Sequence, residues 1–146
     1  LDRLITEWRG AGMRVSREES GRVRPMPVAV QRTAFRIVQE GLTNAAKHAT
    51  GAPVEVWLHH GETQLEVEVA NDPVGAPAHA PPRSGFGLTG LRERVVLAGG
   101  ELSSGVCPVG GWRLRAILPL GEDTAPEPTT EVEEEGTDGD PHAPGR

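Results

Sequence analysis

This chain of 146 residues has few cysteines, no long apolar run and no visible signal peptide, and each of these absences excludes a class of protein. It has a single cysteine, Cys107, which excludes an internal disulfide and fits a reducing compartment. No apolar run approaches the roughly 20 residues that a membrane-spanning helix needs, and no signal peptide is visible. Because the chain begins at Leu1 rather than Met, we expect a cytoplasmic fragment of a longer parent, which would carry any membrane anchor.

The distribution of charge along the chain bears on whether the protein binds nucleic acid nonspecifically. The whole chain has a net charge of -6, but nine of its acidic residues lie after residue 120, against Arg146 alone, so residues 1–120 carry a net charge of +2. A nearly neutral body gives no basis for nonspecific nucleic-acid binding. Residues 121–146 are acidic, rich in Pro, Gly and Thr and poor in large apolar residues, which predicts a disordered tail.

The longest periodic segment, residues 28–50, predicts a helix with one buried face. Its apolar residues share one arc, with Leu42 on the margin: Val30, Ala34, Ile37, Val38, Gly41, Ala45 and Ala49. Glu40, Asn44, Lys47 and His48 form a polar stripe that borders this arc. Such a stripe suits the floor of a cleft, and an ordinary solvated helix flank explains the spacing equally well.

Shorter patterns predict the remaining elements. We expect an amphipathic helix at residues 1–9, an edge strand at 13–17, a charged turn at 18–24, and hairpin strands at 54–58 and 64–70. A lid at 76–84, a helix at 88–97 and closing strands at 101–104 and 112–118, around a turn at 106–111, complete the chain. His59 and His60 lie in the hairpin turn, and a shared metal there is disfavoured because adjacent strand residues point to opposite faces.

Three glycines, Gly85, Gly87 and Gly90, lie at the start of the helix predicted at residues 88–97. Glycines let backbone amides approach a phosphate, and a helix N-terminus favours an anion. The spacing also matches the dinucleotide-binding pattern, but that loop must directly follow a strand, and here a proline-rich segment precedes it. The P-loop pattern and the catalytic segments of protein kinases are absent from the sequence.

Two of these segments carry a family resemblance. Residues 37–49, IVQEGLTNAAKHA, closely resemble the N box of sensor histidine kinases of the NarL/DesK type, which have the GHKL (Bergerat) ATP-binding fold. Residues 85–95, GFGLTGLRERV, resemble the second glycine box of the same family, and the resemblance extends over residues 4–120. It implies an α/β two-layer sandwich in which three helices cover one face of a mixed, mostly antiparallel sheet.

The resemblance also implies an ATP site with Mg²⁺. Asn44 would be the Mg²⁺ ligand, and Glu40 would polarise the acceptor histidine or a water. Lys47 and His48 would meet phosphate oxygens. The residues that wrap the β- and γ-phosphates would be Gly85, Phe86, Gly87, Leu88, Thr89 and Gly90.

The first glycine box departs from the family pattern, which typically reads Asp-x-Gly-x-Gly. Asn71 stands at the adenine-binding Asp, and only Gly75 matches a glycine. An Asn carbonyl can accept a hydrogen bond from the adenine amino group, although less strongly than a carboxylate; Asp72 is a nearby substitute that should face the other side. Trp112 stands where many relatives have a threonine in the adenine pocket, and it could stack on the base, block it or pack elsewhere.

By resemblance, residues 1–9 end a linker helix from a dimerisation and phosphoacceptor domain, residues 10–120 form the ATP-binding catalytic domain, and residues 121–146 are the acidic tail. A docked N-terminal turn explains the first segment equally well. None of the five histidines lies in the family's acceptor context. The acceptor histidine would therefore belong to a separate helical domain of a homodimeric parent, with a response regulator as the next partner. The alternatives are a nucleotide-binding module that does not transfer phosphate and an anti-sigma-type serine kinase.

Overall fold

The structure is a computed structural model that describes residues 1–75 and 86–121, with Phe86 described by its backbone alone. Its three helices are α1 (Asp2–Gly10), α2 (Val28–His48) and α3 (Phe86–Leu97). Its five strands are β1 (Val15–Gly21), β2 (Val54–His60), β3 (Gln64–Asn71), β4 (Glu101–Val106) and β5 (Trp112–Pro119). Within these ranges, no helix is both long enough and apolar enough to span a membrane.

The strands form one sheet in the order β1-β2-β3-β5-β4. β1 pairs with β2 in parallel, and α2 lies in the connection between them; the other three neighbouring pairs are antiparallel. Alternate strand residues are buried under the helices, among them Val56, Val67 and Leu114. The predicted two-layer sandwich with three helices and a mixed, mostly antiparallel sheet is confirmed.

α2 is the central helix of the domain and packs against β2, β3, β5 and α3. Every member of the predicted apolar arc is buried, and the marginal Leu42 is fully buried as well. The helix passes so close to the sheet that a Cβ added at Gly41 would lie 2.6 Å from the Cβ of Val69. α2 ends at His48, two residues before the predicted end, because the chain turns at Gly51, with φ +81°, ahead of Pro53.

The prediction for β1 was wrong in its boundaries. The strand covers Val15–Gly21, so most of the residues expected to form a charged turn belong to it. Glu18, Glu19 and Ser20 pair with Trp57, Leu58 and His59 of β2. A run of charged residues resembles a turn locally, but at a sheet edge its side chains face water or opposite charges, and the backbone still completes the ladder.

Other boundaries moved outward by a few residues. α3 begins at Phe86 rather than at residue 88, so Gly87 lies in its first turn. β4 continues to Val106, two residues beyond the predicted end at 104. His59 and His60 belong to β2 rather than to the hairpin turn, and they hydrogen-bond to Ser20 and Glu19 on β1. The predicted lid at 76–84 and the predicted disordered tail, apart from Gly121, lie outside the described residues.

Candidate functional site

A cavity of about 530 Å³ opens at the C-terminal end of α2. Asn44, His48 and Ala49 of α2 form one wall. The end of β3 and the residues after it form a second wall with Asn71, Pro73, Val74 and Gly75. The end of β4, the start of β5 and the turn between them form a third, with Val106, Pro108, Val109, Gly110, Gly111 and Trp112. The cavity therefore brings together polar residues from segments that are far apart in the sequence.

The four residues of the polar stripe on α2 differ in their position relative to the cavity. Asn44 is half-buried and His48 is exposed, and both line the cavity. Glu40, one turn before Asn44, is half-buried and faces α3, where a Cβ added at Gly87 would lie 2.7 Å from the Glu40 Cδ. Lys47 is exposed and is not among the described residues that line the cavity. Along α2, Asn44 therefore lies between His48, which also lines the cavity, and Glu40, which lies next to Gly87 of α3.

Asn71, at the end of β3, supplies the second carboxamide of the cavity. Its Nδ2 donates a hydrogen bond to the backbone carbonyl of Asp72, at 2.9 Å, which leaves Oδ1 as an acceptor. The backbone N–H of Asp72 donates to the carbonyl of Pro53 at 3.1 Å, and the Asp72 side chain is exposed. Of these two neighbours, Asn71 lines the cavity and Asp72 does not.

Trp112 lies directly opposite Asn71 in the β3–β5 ladder. Its half-buried side chain lines the cavity and also packs against the edge of the core. An indole face can stack on a planar ring while a neighbouring carboxamide hydrogen-bonds to the edge of that ring. Of the outcomes left open by the sequence, packing wholly away from the cavity is excluded.

The contribution of the β4–β5 turn to the cavity was not predicted from the sequence. Val106 and Val109 are 60% and 87% exposed, yet both line the cavity. Val109 lies in a turn rich in glycine and proline, where large apolar side chains are uncommon, and Val106 ends β4. These valines were a signal that this end of the sheet has a surface to cover. Together with Trp112 they give this wall of the cavity an apolar character.

The second glycine box lies in the first turns of α3. The Leu88 side chain is 8% exposed and belongs to the core, so any ligand contact from this residue is through its backbone. Thr89 and Gly90 are exposed. Gly85 and the Phe86 side chain lie outside the described residues. The unpaired N–H groups and the dipole of a helix N-terminus favour an anion here, next to Glu40.

The residues present fit a magnesium ion held jointly with a phosphate group. Among the described residues, no group of three or more His, Cys, Asp or Glu could enclose a metal ion. Mg²⁺ does not need such a cage, because it keeps several waters and is bound by one or two protein oxygens together with phosphate oxygens. Glu40 and Asn44, one helical turn apart on α2, offer two oxygens of the required kind.

Comparison with known proteins identifies the family of this chain. The family of histidine kinase-, DNA gyrase B-, and HSP90-like ATPases matches residues 29–122. The sensor histidine kinase YxjM of Bacillus subtilis is 32% identical over 113 residues, which cover 75% of this chain and 27% of YxjM. The chain therefore spans a minor part of this curated relative.

Two solved structures have a similar fold. The ATP-binding domain of PrrB from Mycobacterium tuberculosis has a TM-score of 0.57 and 25% identity, and the match covers 82% of this chain and 90% of that domain. The histidine kinase ThkA, solved in complex with the response regulator protein TrrA, has a TM-score of 0.61 and 16% identity, and the match covers 86% of this chain and 42% of ThkA. By its sequence match, supported by this fold, the chain belongs to the family of histidine kinase-, DNA gyrase B-, and HSP90-like ATPases.

Proposed function

We propose that this chain is the ATP-binding catalytic part of a sensor histidine kinase of the NarL/DesK type. It would transfer the γ-phosphate of ATP to a histidine on a separate helical domain of a homodimeric parent, from which a response regulator receives the phosphate. The catalytic part would work on the cytoplasmic side, whether or not the parent is anchored in a membrane. The relative YxjM, a sensor histidine kinase, supports the activity, and the ThkA–TrrA complex supports the kind of partner.

The observation that carries the proposal is the position of two side chains on α2. Asn44 lines the cavity that also holds Asn71 and Trp112, and Glu40, one turn earlier, faces Gly87 of α3. A nucleotide with its base at Asn71 and Trp112 would extend its phosphates past Asn44 towards the start of α3. The two ends of the ligand would then meet groups of matching chemistry: an aromatic face and a carboxamide for the base, and helix N–H groups for the phosphates.

In the proposed mechanism, the protein mainly positions the reactants and neutralises charge. The Asn71 Oδ1 would accept a hydrogen bond from the adenine amino group. Glu40 and Asn44 would hold the metal, and Mg²⁺, when bound, neutralises charge on the β- and γ-phosphate oxygens. As the incoming imidazole attacks the γ-phosphorus, the Glu40 carboxylate would accept a hydrogen bond from its other ring N–H. The bond to the β-phosphate oxygen then breaks, and ADP leaves.

The phosphate groups would receive further support from residues whose roles stay predictions. His48 lines the cavity and is close enough to Asn44 in sequence, one helical turn on, to reach the same ligand. Lys47 is exposed and would need to extend around α2 to reach a phosphate. Gly75 lines the cavity opposite α2, and Gly87 and Gly90 would let the α3 backbone approach the γ-phosphate.

One observation favours a nucleotide-binding module without transfer activity as a second candidate. Asn71 is uncharged, and the bulky Trp112 occupies the facing position in the ladder. These two departures from the family pattern, Asn71 and Trp112, lie at the end of the cavity proposed for the base. Glu40 and Asn44 are not affected by them. The two departures would therefore alter nucleotide affinity before they altered the chemistry of transfer.

Calorimetry of ATP with Mg²⁺ tests binding and then the metal ligand. We expect the wild type to bind and the Asn44→Ala variant to bind at least about tenfold more weakly, a loss of about 1.4 kcal/mol. Thr43→Ala is the matched control, because the Thr43 hydroxyl donates to the Gln39 carbonyl within α2. A wild type that binds no nucleotide overturns the proposal, and equal affinities of wild type and Asn44→Ala remove Asn44 from the site.

A transfer assay separates the two candidate functions. With a helical phosphoacceptor domain of the family supplied in trans, we expect the wild type to label that domain from ATP. The Glu40→Gln variant should keep nucleotide binding within about twofold and lose transfer, since a neutral amide accepts the imidazole proton less strongly. Equal transfer rates would exclude Glu40 from the mechanism. Nucleotide binding without transfer by the wild type would favour the non-transferring module.

A further inference from the structure

A second and larger groove, of about 880 Å³, lies at the N-terminal end of α2, opposite the end that forms the candidate nucleotide site. Its rim carries large apolar side chains that face solvent. Val23 is 65% exposed, Val28 is 61% exposed and Phe35 is 38% exposed. Apolar side chains gathered at one groove, in contrast to single exposed ones, indicate a surface that another segment covers.

The groove is also basic. Four arginines line it in addition to Arg17: Arg24, Arg32, Arg36 and Arg94. Within residues 1–75 and 86–121, no carboxylate lies within ion-pair distance of Arg24, Arg32 or Arg36. A concave surface with several such guanidinium groups attracts a flexible chain that carries many carboxylates.

The carboxylates that do line the groove already have partners. Arg17 of β1 pairs with Asp2 of α1 and, at 2.6 Å, with Glu19. His60 Nε2 lies 2.6 Å from the other carboxylate oxygen of Glu19. These groups form a closed cluster on one wall, so they do not neutralise the arginines on α2 and on the segment before it.

The end of the described chain lies beside this groove. Leu120, which follows β5, donates its backbone N–H to the carbonyl of Thr63 at 2.9 Å. Thr63 is in the turn between β2 and β3, and His60 and Leu65, which pair with each other close to this turn, both line the groove. The chain that continues after Gly121 therefore leaves the sheet next to the groove.

That continuation has the complementary chemistry. Residues 131–140 read EVEEEGTDGD and contain six acidic residues: Glu131, Glu133, Glu134, Glu135, Asp138 and Asp140. Val132 adds one apolar side chain among them. The connection from Gly121 to Glu131 is ten residues, which as a random coil has an end-to-end distance of about 18 Å. The first nine residues of α2, which carry Arg32 and Arg36, extend about 13 Å, so the tether is longer than the stretch of helix that carries these arginines.

We propose that the acidic segment 131–140 docks in this groove on the same molecule. Its carboxylates pair with Arg24, Arg32 and Arg36, and Val132 packs against the apolar rim. Each exposed ion pair is weak, but several of them together with a short tether, which gives an effective concentration of the order of millimolar, populate the docked state. Docking is consequently sensitive to salt, and a stronger acidic partner can displace the tail.

The test uses ¹⁵N NMR of the full chain without nucleotide, so its outcome does not depend on the proposed kinase function. In the Glu133→Gln/Glu134→Gln/Glu135→Gln variant, we expect the amide signals of residues 23–36 to shift relative to wild type at an ionic strength of about 0.01 M. The difference should disappear near 1 M salt, where the Debye length is about 3 Å. The matched control is Glu122→Gln/Asp123→Asn/Glu127→Gln, which removes the same charge outside residues 131–140 and should leave these signals close to wild type.

A charge exchange makes the test specific. Arg32→Glu/Arg36→Glu should abolish the dependence of the signals of residues 23–31 on salt that wild type shows, and adding Glu133→Arg/Glu134→Arg to it should restore that dependence. Unchanged signals in the first tail variant at low salt overturn the proposal, as do equal shifts in the matched control. Shifts that grow with protein concentration show instead that the tail of a second copy occupies the groove, and this too overturns docking on the same molecule.

Discussion

Arg115 and Glu66 show how single residues stabilise the sheet face that the helices leave open. Arg115 Nη2 donates to Glu66 Oε2 at 2.7 Å, and Gln64 Nε2 donates to Oε1 at 3.1 Å. The hydrogen bond from Arg115 is the largest influence, and it holds the pKa of Glu66 below the ordinary value of 4.5 despite the opposing effect of burial. The same bond raises the pKa of Arg115, so the guanidinium stays charged.

The lowered pKa of Glu66 predicts how stability depends on pH. A carboxyl whose pKa is lower in the folded state stabilises the fold fully above its unfolded pKa and loses this contribution as the pH falls through the folded-state value. We expect Glu66→Gln to cost about 0.2–1 kcal/mol at pH 7, a small value because the Arg115 side chain is 45% exposed to water. The difference from wild type should shrink below pH 4.5, the ordinary glutamate pKa.

Urea unfolding of both proteins at several pH values measures this difference. Glu55→Gln is the control, since Glu55 lies on the neighbouring strand β2, is exposed and has no ion pair among the described residues. Its stability difference from wild type should be near zero. A Glu66→Gln difference that stays constant down to pH 3 would show that the ion pair does not contribute through its charge.

Arg115 and Glu66 could not be paired from the sequence. They are 49 positions apart, and they meet because β3 and β5 are neighbours in the sheet. The same holds for Asn71 and Trp112, which face each other across that ladder. Each of these residues alone is an ordinary polar or aromatic residue in a strand, and its role depends on the partner that strand pairing supplies.

At the scale of elements, the packing of α2 on β3 depends on Gly41. A Cβ at this position would lie 2.6–2.8 Å from the side-chain carbons of Val69, closer than carbon atoms pack. The helix would have to move away from the sheet, and the cavity wall that α2 forms with Asn44 would move with it. We expect Gly41→Ala to destabilise the fold by about 1–3 kcal/mol, although alanine favours helix more than glycine does.

The matched control is the same substitution in another helix. A Cβ at Gly90 of α3 would meet no atom of the described residues within 4 Å, so Gly90→Ala should stabilise the fold by about 0.5–1 kcal/mol. Denaturant unfolding of the two variants should therefore give changes of opposite sign. Stabilisation by both substitutions would show that α2 lies farther from β3 than the structure has it.

At the scale of the whole molecule, α1 is packed as part of the domain. Leu4 and Ile5 are 7% and 2% exposed and belong to the main core, and the Arg9 side chain donates to the carbonyl of Val15. Arg17 ties the start of α1 to β1 through Asp2. Apolar packing and polar contacts therefore both hold α1 to the edge of the sheet at β1.

This packing predicts the effect of a mutation far from the candidate site. Ile5→Ala should lower the free energy of unfolding of the whole domain by about 2–5 kcal/mol, because it leaves a cavity in the common core. Thr6→Ala, at the next and exposed position of α1, should change it by less than about 0.5 kcal/mol. Calorimetric unfolding with a single transition in both variants is expected. A separate low-temperature transition in Ile5→Ala would show that α1 unfolds independently.

The buried face of α2 followed from the sequence, because a helix repeats its apolar residues within one continuous segment. The family and the fold class followed as well, because the N box and the second glycine box are each contained in one short segment. The extension of β1 through its charged residues and the turn that closes the cavity were decided only by tertiary structure. Each of these depends on contacts between segments distant in sequence, and local patterns contain no information about which strand or wall a residue will face.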